Sequence, residues 1–139
     1  GALRSVNARA QEVMELIGLE SRRDLEAGLL TYADQRALEI GLTIAGGADT
    51  ILLDEPTAGM SRSESDAAVE LIRKVTKDKT LLMVEHDMTL VSKVSDRVVA
   101  MSQGEVLAMG TAREVQTHPG VIEAYLGTVD DVSSLRRAA

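Results

Sequence analysis

The chain has 139 residues, 45% of them apolar, and 22 acidic against 15 basic side chains give a net charge of −7. That size suits one domain, the acidic balance disfavours a nucleic-acid backbone as partner, and the lack of cysteine excludes disulfides and thiolate-held metals. No apolar run reaches the ~18 residues of a membrane span, no secretory leader is expected, and with two Tyr and no Phe or Trp the core must be aliphatic.

In chain order, residues 8–17 place Ala10, Val13, Met14 and Ile17 on one helical stripe, and Gly18 is positioned to end that helix. Residues 20–27 are charged and read as a short helix or loop. Thr31 is placed to cap the next helix, with Asp34 three residues on and Leu38, Gly41, Leu42 and Ala45 on one face, and Gly46-Gly47 stops it. Residues 50–53 are a short continuous apolar run ending in Asp54-Glu55-Pro56, the pattern of a strand buried on both faces. Ser61 and Glu64 have capping-box spacing ahead of a helix carrying Ala68, Leu71, Ile72 and Val75 inward. Residues 80–84 form a second apolar strand followed by Glu85-His86-Asp87, and Asp87 caps a short helix over 88–94. Residues 97–101 and 105–109 read as a hairpin turning through Ser102-Gln103-Gly104. Two short helices near 112–116 and 121–126 precede a polar tail that is expected to be loose.

Strands alternating with helices imply parallel βαβ units, here closed by an antiparallel hairpin. In such sheets the chemistry collects at the carboxyl ends of the strands. Asp54-Glu55 and Glu85-His86-Asp87 both fall there. An apolar strand ending in Asp-Glu suits nucleotide hydrolysis on magnesium, with one carboxylate serving a hydrated Mg²⁺ and the next orienting and deprotonating a water. Neighbouring residues leave a strand end in different directions, so the two carboxylates divide the work rather than share it. His86 can donate to a phosphate oxygen, and the helix start at Thr31 can receive an anion. Each also has a plainer reading, as solvated strand-end carboxylates, an exposed loop histidine and an ordinary N-cap.

Four segments occur in one order: Leu30-Thr31-Tyr32-Ala33-Asp34-Gln35-Arg36, Ile51-Leu52-Leu53-Asp54-Glu55-Pro56, Ala58-Gly59-Met60-Ser61 and Val84-Glu85-His86-Asp87. Over roughly residues 6–127 they resemble the second half of an ABC-transporter ATP-binding subunit: its LSGGQ signature, its Walker B with catalytic glutamate, its D-loop and its switch histidine. The ending His118-Pro119-Gly120-Val121-Ile122-Glu123-Ala124-Tyr125-Leu126-Gly127 is similar to the branched-chain amino-acid and urea importer group. Tyr32 and Ala33 stand where the signature has glycines, Asp34 where it has glutamine, and Ser61 where the D-loop has aspartate. No G-x-x-x-x-G-K-[ST] phosphate loop occurs in the 139 residues, so the chain reads as a C-terminal part of such a subunit or a truncated relative.

The resemblance implies a fold and a set of roles. The fold is α/β, a partial P-loop ATPase domain lacking the Walker A half. Residues 1–47 would be a helical-subdomain portion with the signature, residues 48–127 the ATPase core from Walker B onward, and residues 128–139 a tail. Asp54 would serve Mg²⁺, Glu55 would polarise the attacking water, and His86 would contact the γ-phosphate. Thr31, Ala33 and Asp34 would face the γ-phosphate of ATP held by a second subunit. The complete subunit would hydrolyse ATP to import a small polar solute such as branched-chain amino acids. It would work as a homo- or heterodimer of ATP-binding subunits, joined to membrane permease subunits at the cytoplasmic face of the membrane. Without a phosphate loop, the 139 residues alone are expected to bind Mg·ATP weakly or not at all and to be inactive. The alternative is a non-catalytic, degenerate module that pairs with another subunit, to which the residues Ala33, Asp34 and Ser61 point.

Overall fold

A computed structural model describes residues 2–126. The order of elements is α1 (Ala2–Ile17), two single 3₁₀ turns (Glu20–Arg22 and Ala27–Leu29), α2 (Tyr32–Ala45), β1 (Thr50–Asp54), α3 (Arg62–Val75) and β2 (Thr80–Val84). These are followed by α4 (Met88–Val94), β3 (Val98–Ser102), β4 (Glu105–Gly110), α5 (Ala112–Gln116) and α6 (Pro119–Leu126). Two compact units result, the first ending at Glu85 and the second beginning at His86. The expected tail, residues 128–139, lies outside the described residues.

In the first unit, β1 and β2 pair parallel and in register from Thr50 against Thr80 to Asp54 against Val84. The core combines Val13, Ile17 and Leu19 with Ile40 and Ile44 of α2, Ile51 of β1 and Ala68, Val69, Ile72 and Val75 of α3. Ile51 and Ile72 are fully enclosed. Two lysines bind carbonyls that their own segments leave open: Lys74 of α3 donates to the Leu16 carbonyl at 3.1 Å, and Lys79 donates to the Ala48 carbonyl at 2.6 Å.

The structure corrects three expectations. In α1, which already begins at Ala2, the inward stripe starts at Val13, and Ala10 is exposed. The buried face of α2 is Ile40, Gly41 and Ile44, whereas Leu42 is exposed. This helix is apolar on more than one side, so periodicity alone cannot choose the face. Packing does: a Cβ on Gly41 would lie 2.7 Å from Ile17 Cδ1 and 3.3 Å from Val13 Cγ1, so only the bare glycine lets α1 approach this closely. The strands are not enclosed on both faces. Leu52 is 67%, Leu82 59% and Val84 61% exposed. Pleating sends alternate residues to opposite faces, and among the described residues the face bearing Leu52, Leu82 and Val84 is left open to solvent.

In the second unit, β3 and β4 form the expected antiparallel hairpin, with an irregularity between Ala100 and Met101 that leaves Leu107 without an opposite partner. Its core is Ala100, Val115 and Val121, flanked by Val98, Leu107 and Ala108. Gln116 of α5 donates to Ser92 Oγ of α4 at 2.9 Å.

Capping follows the sequence closely. Asp87 accepts the Thr89 and Leu90 amides, and Ser61 with Glu64 forms the complete reciprocal box at the start of α3. Thr111 with Glu114 forms a second box at α5, which the same [ST]-x-x-E spacing could have revealed. The Ser61 hydroxyl, then its amide, hold the Glu64 carboxyl below its ordinary range, and the Thr111 amide, then its hydroxyl, do the same for Glu114. A carboxyl lowered by folding stabilises the native state above its unfolded pKa and loses that contribution as pH falls through the folded one. The α3 and α5 starts are therefore expected to weaken on acidification. Carboxyl-carbon NMR titration should give Glu64 and Glu114 midpoints below an ordinary glutamate. In Ser61→Ala only the Glu64 midpoint should rise, and an unmoved midpoint would exclude the box as its cause.

Candidate functional site at the carboxyl end of the parallel strands

Asp54 is the last residue of β1 and is exposed. It lines an open cleft of about 200 Å³ together with Arg36, Glu39, Ile40 and Thr43 of α2 and Leu52, Leu53 and Pro56. Among the described residues no cluster of three or more His, Asp or Glu side chains could hold a metal ion. A cation here would take one protein carboxylate and fill its remaining positions with water and phosphate oxygens. That donor set fits Mg²⁺, which gives up its water reluctantly.

Glu55 continues the ladder by one bond, its amide donating to the Val84 carbonyl at 2.9 Å, and then leaves the sheet with φ at 42°. A non-glycine residue in the left-handed region is uncommon, and such strain gathers at functional sites. The turn that follows is held by Ala58 N to Glu55 O at 3.1 Å and Met60 N to Thr57 O at 3.2 Å. Thr57, buried within it, donates its hydroxyl to Glu85 Oε1 at 3.0 Å, tying the turn to the end of β2.

Thr31 is the N-cap of α2, its hydroxyl accepting the Asp34 amide at 3.2 Å and donating to Asp34 Oδ2 at 2.6 Å. Asp34 also pairs with Arg22 at 2.5 Å, and only 18% of its side chain is exposed. The acid in the first turn of α2 is thus matched by a guanidinium from the first 3₁₀ turn, Glu20–Arg22. Ala33 is half-buried in the same turn of α2. His86 opens the second unit, exposed, directly after Glu85 and before the cap residue Asp87. The structure thus gathers Thr31, Ala33 and Asp34 at one helix start and sets Asp54 and Glu55 in succession at one strand end. The Arg22 partner, the Thr57–Glu85 bond and the left-handed Glu55 were missed from sequence, and none carries a local signal.

A family model described as "Branched-chain amino acid ATP-binding cassette transporter" matches residues 105–131. The chain is 41% identical over 121 residues to the high-affinity branched-chain amino acid transport ATP-binding protein LivG of Salmonella typhimurium, covering 86% of this chain and 48% of that protein. It is 40% identical over 116 residues to the corresponding protein BraF of Pseudomonas aeruginosa, covering 82% of this chain and 46% of that one. The chain therefore spans about half the length of the relatives it matches. The ADP conformation of MJ1267, an ATP-binding cassette of an ABC transporter, superposes with a TM-score of 0.80 at 26% identity, over 88% of this chain and 50% of that one. A nucleotide-free cassette from an ABC transporter gives a TM-score of 0.79 at 24% identity over 87% and 50% of the two chains.

Proposed function

Starting from a chain that belongs to the ABC-transporter ATP-binding subunits and carries a C-terminal portion of one, we propose that the protein containing it hydrolyses ATP to drive uptake of branched-chain amino acids. The observation that carries this reading is Glu55, left-handed and bonded through its amide to the Val84 carbonyl, immediately after Asp54 at the end of β1. In the proposal Asp54 holds Mg²⁺, which supplies charge neutralisation for the phosphates when bound. Glu55 orients the attacking water and accepts its proton. His86 donates to the γ-phosphate. Thr31, Ala33 and Asp34 at the start of α2 meet the γ-phosphate of ATP held by a second ATP-binding subunit, where free amides and the helix dipole favour an anion. The partners are that second subunit and membrane permease subunits, and the place of work is the cytoplasmic face of the membrane. No helix among the described residues is long and apolar enough to cross a membrane.

One observation favours the second reading, a non-catalytic module that pairs with another subunit. The Thr31 hydroxyl proton points to Asp34 Oδ2 at 2.6 Å, so the group that would donate to a phosphate is already occupied.

Reconstitution separates the two. The subunit containing this chain, assembled with its permease in liposomes, is expected to hydrolyse ATP and accumulate labelled leucine, and Asp54→Asn should abolish both. Hydrolysis without leucine uptake would overturn the substrate, and no hydrolysis in the unmodified assembly would establish the non-catalytic reading.

A further inference from the structure

Tyr32 is the first residue of α2 and is 45% exposed, yet its hydroxyl is fully engaged. It donates to the Ala58 carbonyl, 26 residues away, at 2.8 Å. It accepts from Arg36 Nε at 3.2 Å and Arg36 Nη2 at 3.0 Å. The guanidinium carbon lies 5.3 Å from the ring centroid, and Arg36 Nη1 donates to Glu39 Oε2 at 2.6 Å. Glu39, Arg36, Tyr32 and Ala58 thus form one hydrogen-bonded relay from α2 to the turn after β1. Its polarity is consistent throughout: the carboxylate fixes the guanidinium, the guanidinium fills the acceptor side of the phenol, and the phenol proton is directed at the backbone carbonyl.

The receiving end lies close to the ring. Gly59 sits at φ 76°, and a Cβ there would lie 3.5 Å from the Tyr32 hydroxyl oxygen and 3.7 Å from ring carbons. The positive φ is what favours glycine here, and it is the preceding carbonyl that receives the phenol proton. From the other side Thr57 is anchored to Glu85. The turn of residues 57–60 is consequently gripped by α2 at one end and by the end of β2 at the other, and its first hydrogen bond closes on the Glu55 carbonyl. Any rotation of that turn changes where the Glu55 side chain is aimed.

We infer that Tyr32 is a positioning residue, which with Arg36 sets the turn that begins at Glu55 and couples it to the Thr31 end of α2. The role in turnover rests on the ATPase reading proposed above. The coupling gives a physical use to a bulky side chain at a position where the resemblance sets a glycine. A glycine could accept an anion at the helix start but could not reach Ala58.

Tyr32→Phe keeps the ring and removes only the hydroxyl. In the ATP-binding subunit containing this chain, amide exchange at Ala58–Met60, followed by NMR or mass spectrometry, is expected to accelerate about fivefold, the effect of losing one hydrogen bond. The kcat for ATP should fall by a similar factor with KM within about twofold, the pattern of a misaimed group rather than lost substrate affinity. Arg36→Lys, which keeps the charge but loses the two-pronged contact, should fall between Tyr32→Phe and the unmodified protein in both measurements. Unchanged exchange in Tyr32→Phe overturns the inference. So does faster exchange with unchanged kcat in a subunit that Glu55→Gln inactivates, because Tyr32 would then be only structural. The ATPase reading fails if the unmodified subunit does not hydrolyse ATP; if Glu55→Gln retains turnover, only the assignment of Glu55 fails, and in either case the exchange result decides whether Tyr32 holds the turn.

Discussion

Replacing Glu55 by glutamine in the ATP-binding subunit that carries this chain is expected to lower ATP turnover by about 10²–10⁴-fold, the usual contribution of a general base, while leaving nucleotide binding in place. The change is nearly isosteric, so the backbone that holds Glu55 should survive: the amide still bonds the Val84 carbonyl, and the carbonyl still accepts the Ala58 amide. What disappears is the capacity to accept a proton from water. Asp54 cannot substitute, because it is the preceding residue in the strand and leaves the sheet in another direction. The measurement is single-turnover hydrolysis beside an equilibrium binding assay with labelled ATP. Turnover within threefold of the unmodified protein would remove Glu55 from the chemistry, and lost binding would show that it acts on the nucleotide rather than on water.

The second large effect concerns stability and lies one residue beyond the exposed edge of the same strand. Ile51→Ala in the 139-residue chain is expected to cost about 2–5 kcal/mol, the range for deleting a buried aliphatic side chain and leaving a cavity. Ile51 is completely enclosed, and a tightly packed interior relaxes only in part around the gap. Leu52→Ala, the neighbouring position at 67% exposure, should shift stability by no more than about 0.5 kcal/mol. Urea unfolding of the two variants, followed by helical circular dichroism, makes the comparison. Equal losses would mean that β1 is packed on both faces in solution, against the open face of the structure.

Much of the chain was legible without coordinates, and the reason is the range of the interactions involved. Thr31 over α2, Ser61 with Glu64 over α3 and Asp87 over α4 act within a single helical turn, so residue type and spacing suffice to locate them. The parallel strands were marked by short apolar runs, and the order of motifs around them pointed to the family that the relatives share. Tertiary structure decided what depends on distant partners. It chose the Ile40–Ile44 face of α2 through the close approach of Gly41 to α1, and it left Leu52, Leu82 and Val84 exposed. It also answered the charge of Asp34 with Arg22, tied Tyr32 to a carbonyl 26 residues away, and bent Glu55 into a left-handed conformation. Local pattern specifies which residues can share a turn or a pleat. It says nothing of which donor a remote fold of the chain will bring within about 3 Å, and at this site those remote contacts hold the turn that follows Glu55.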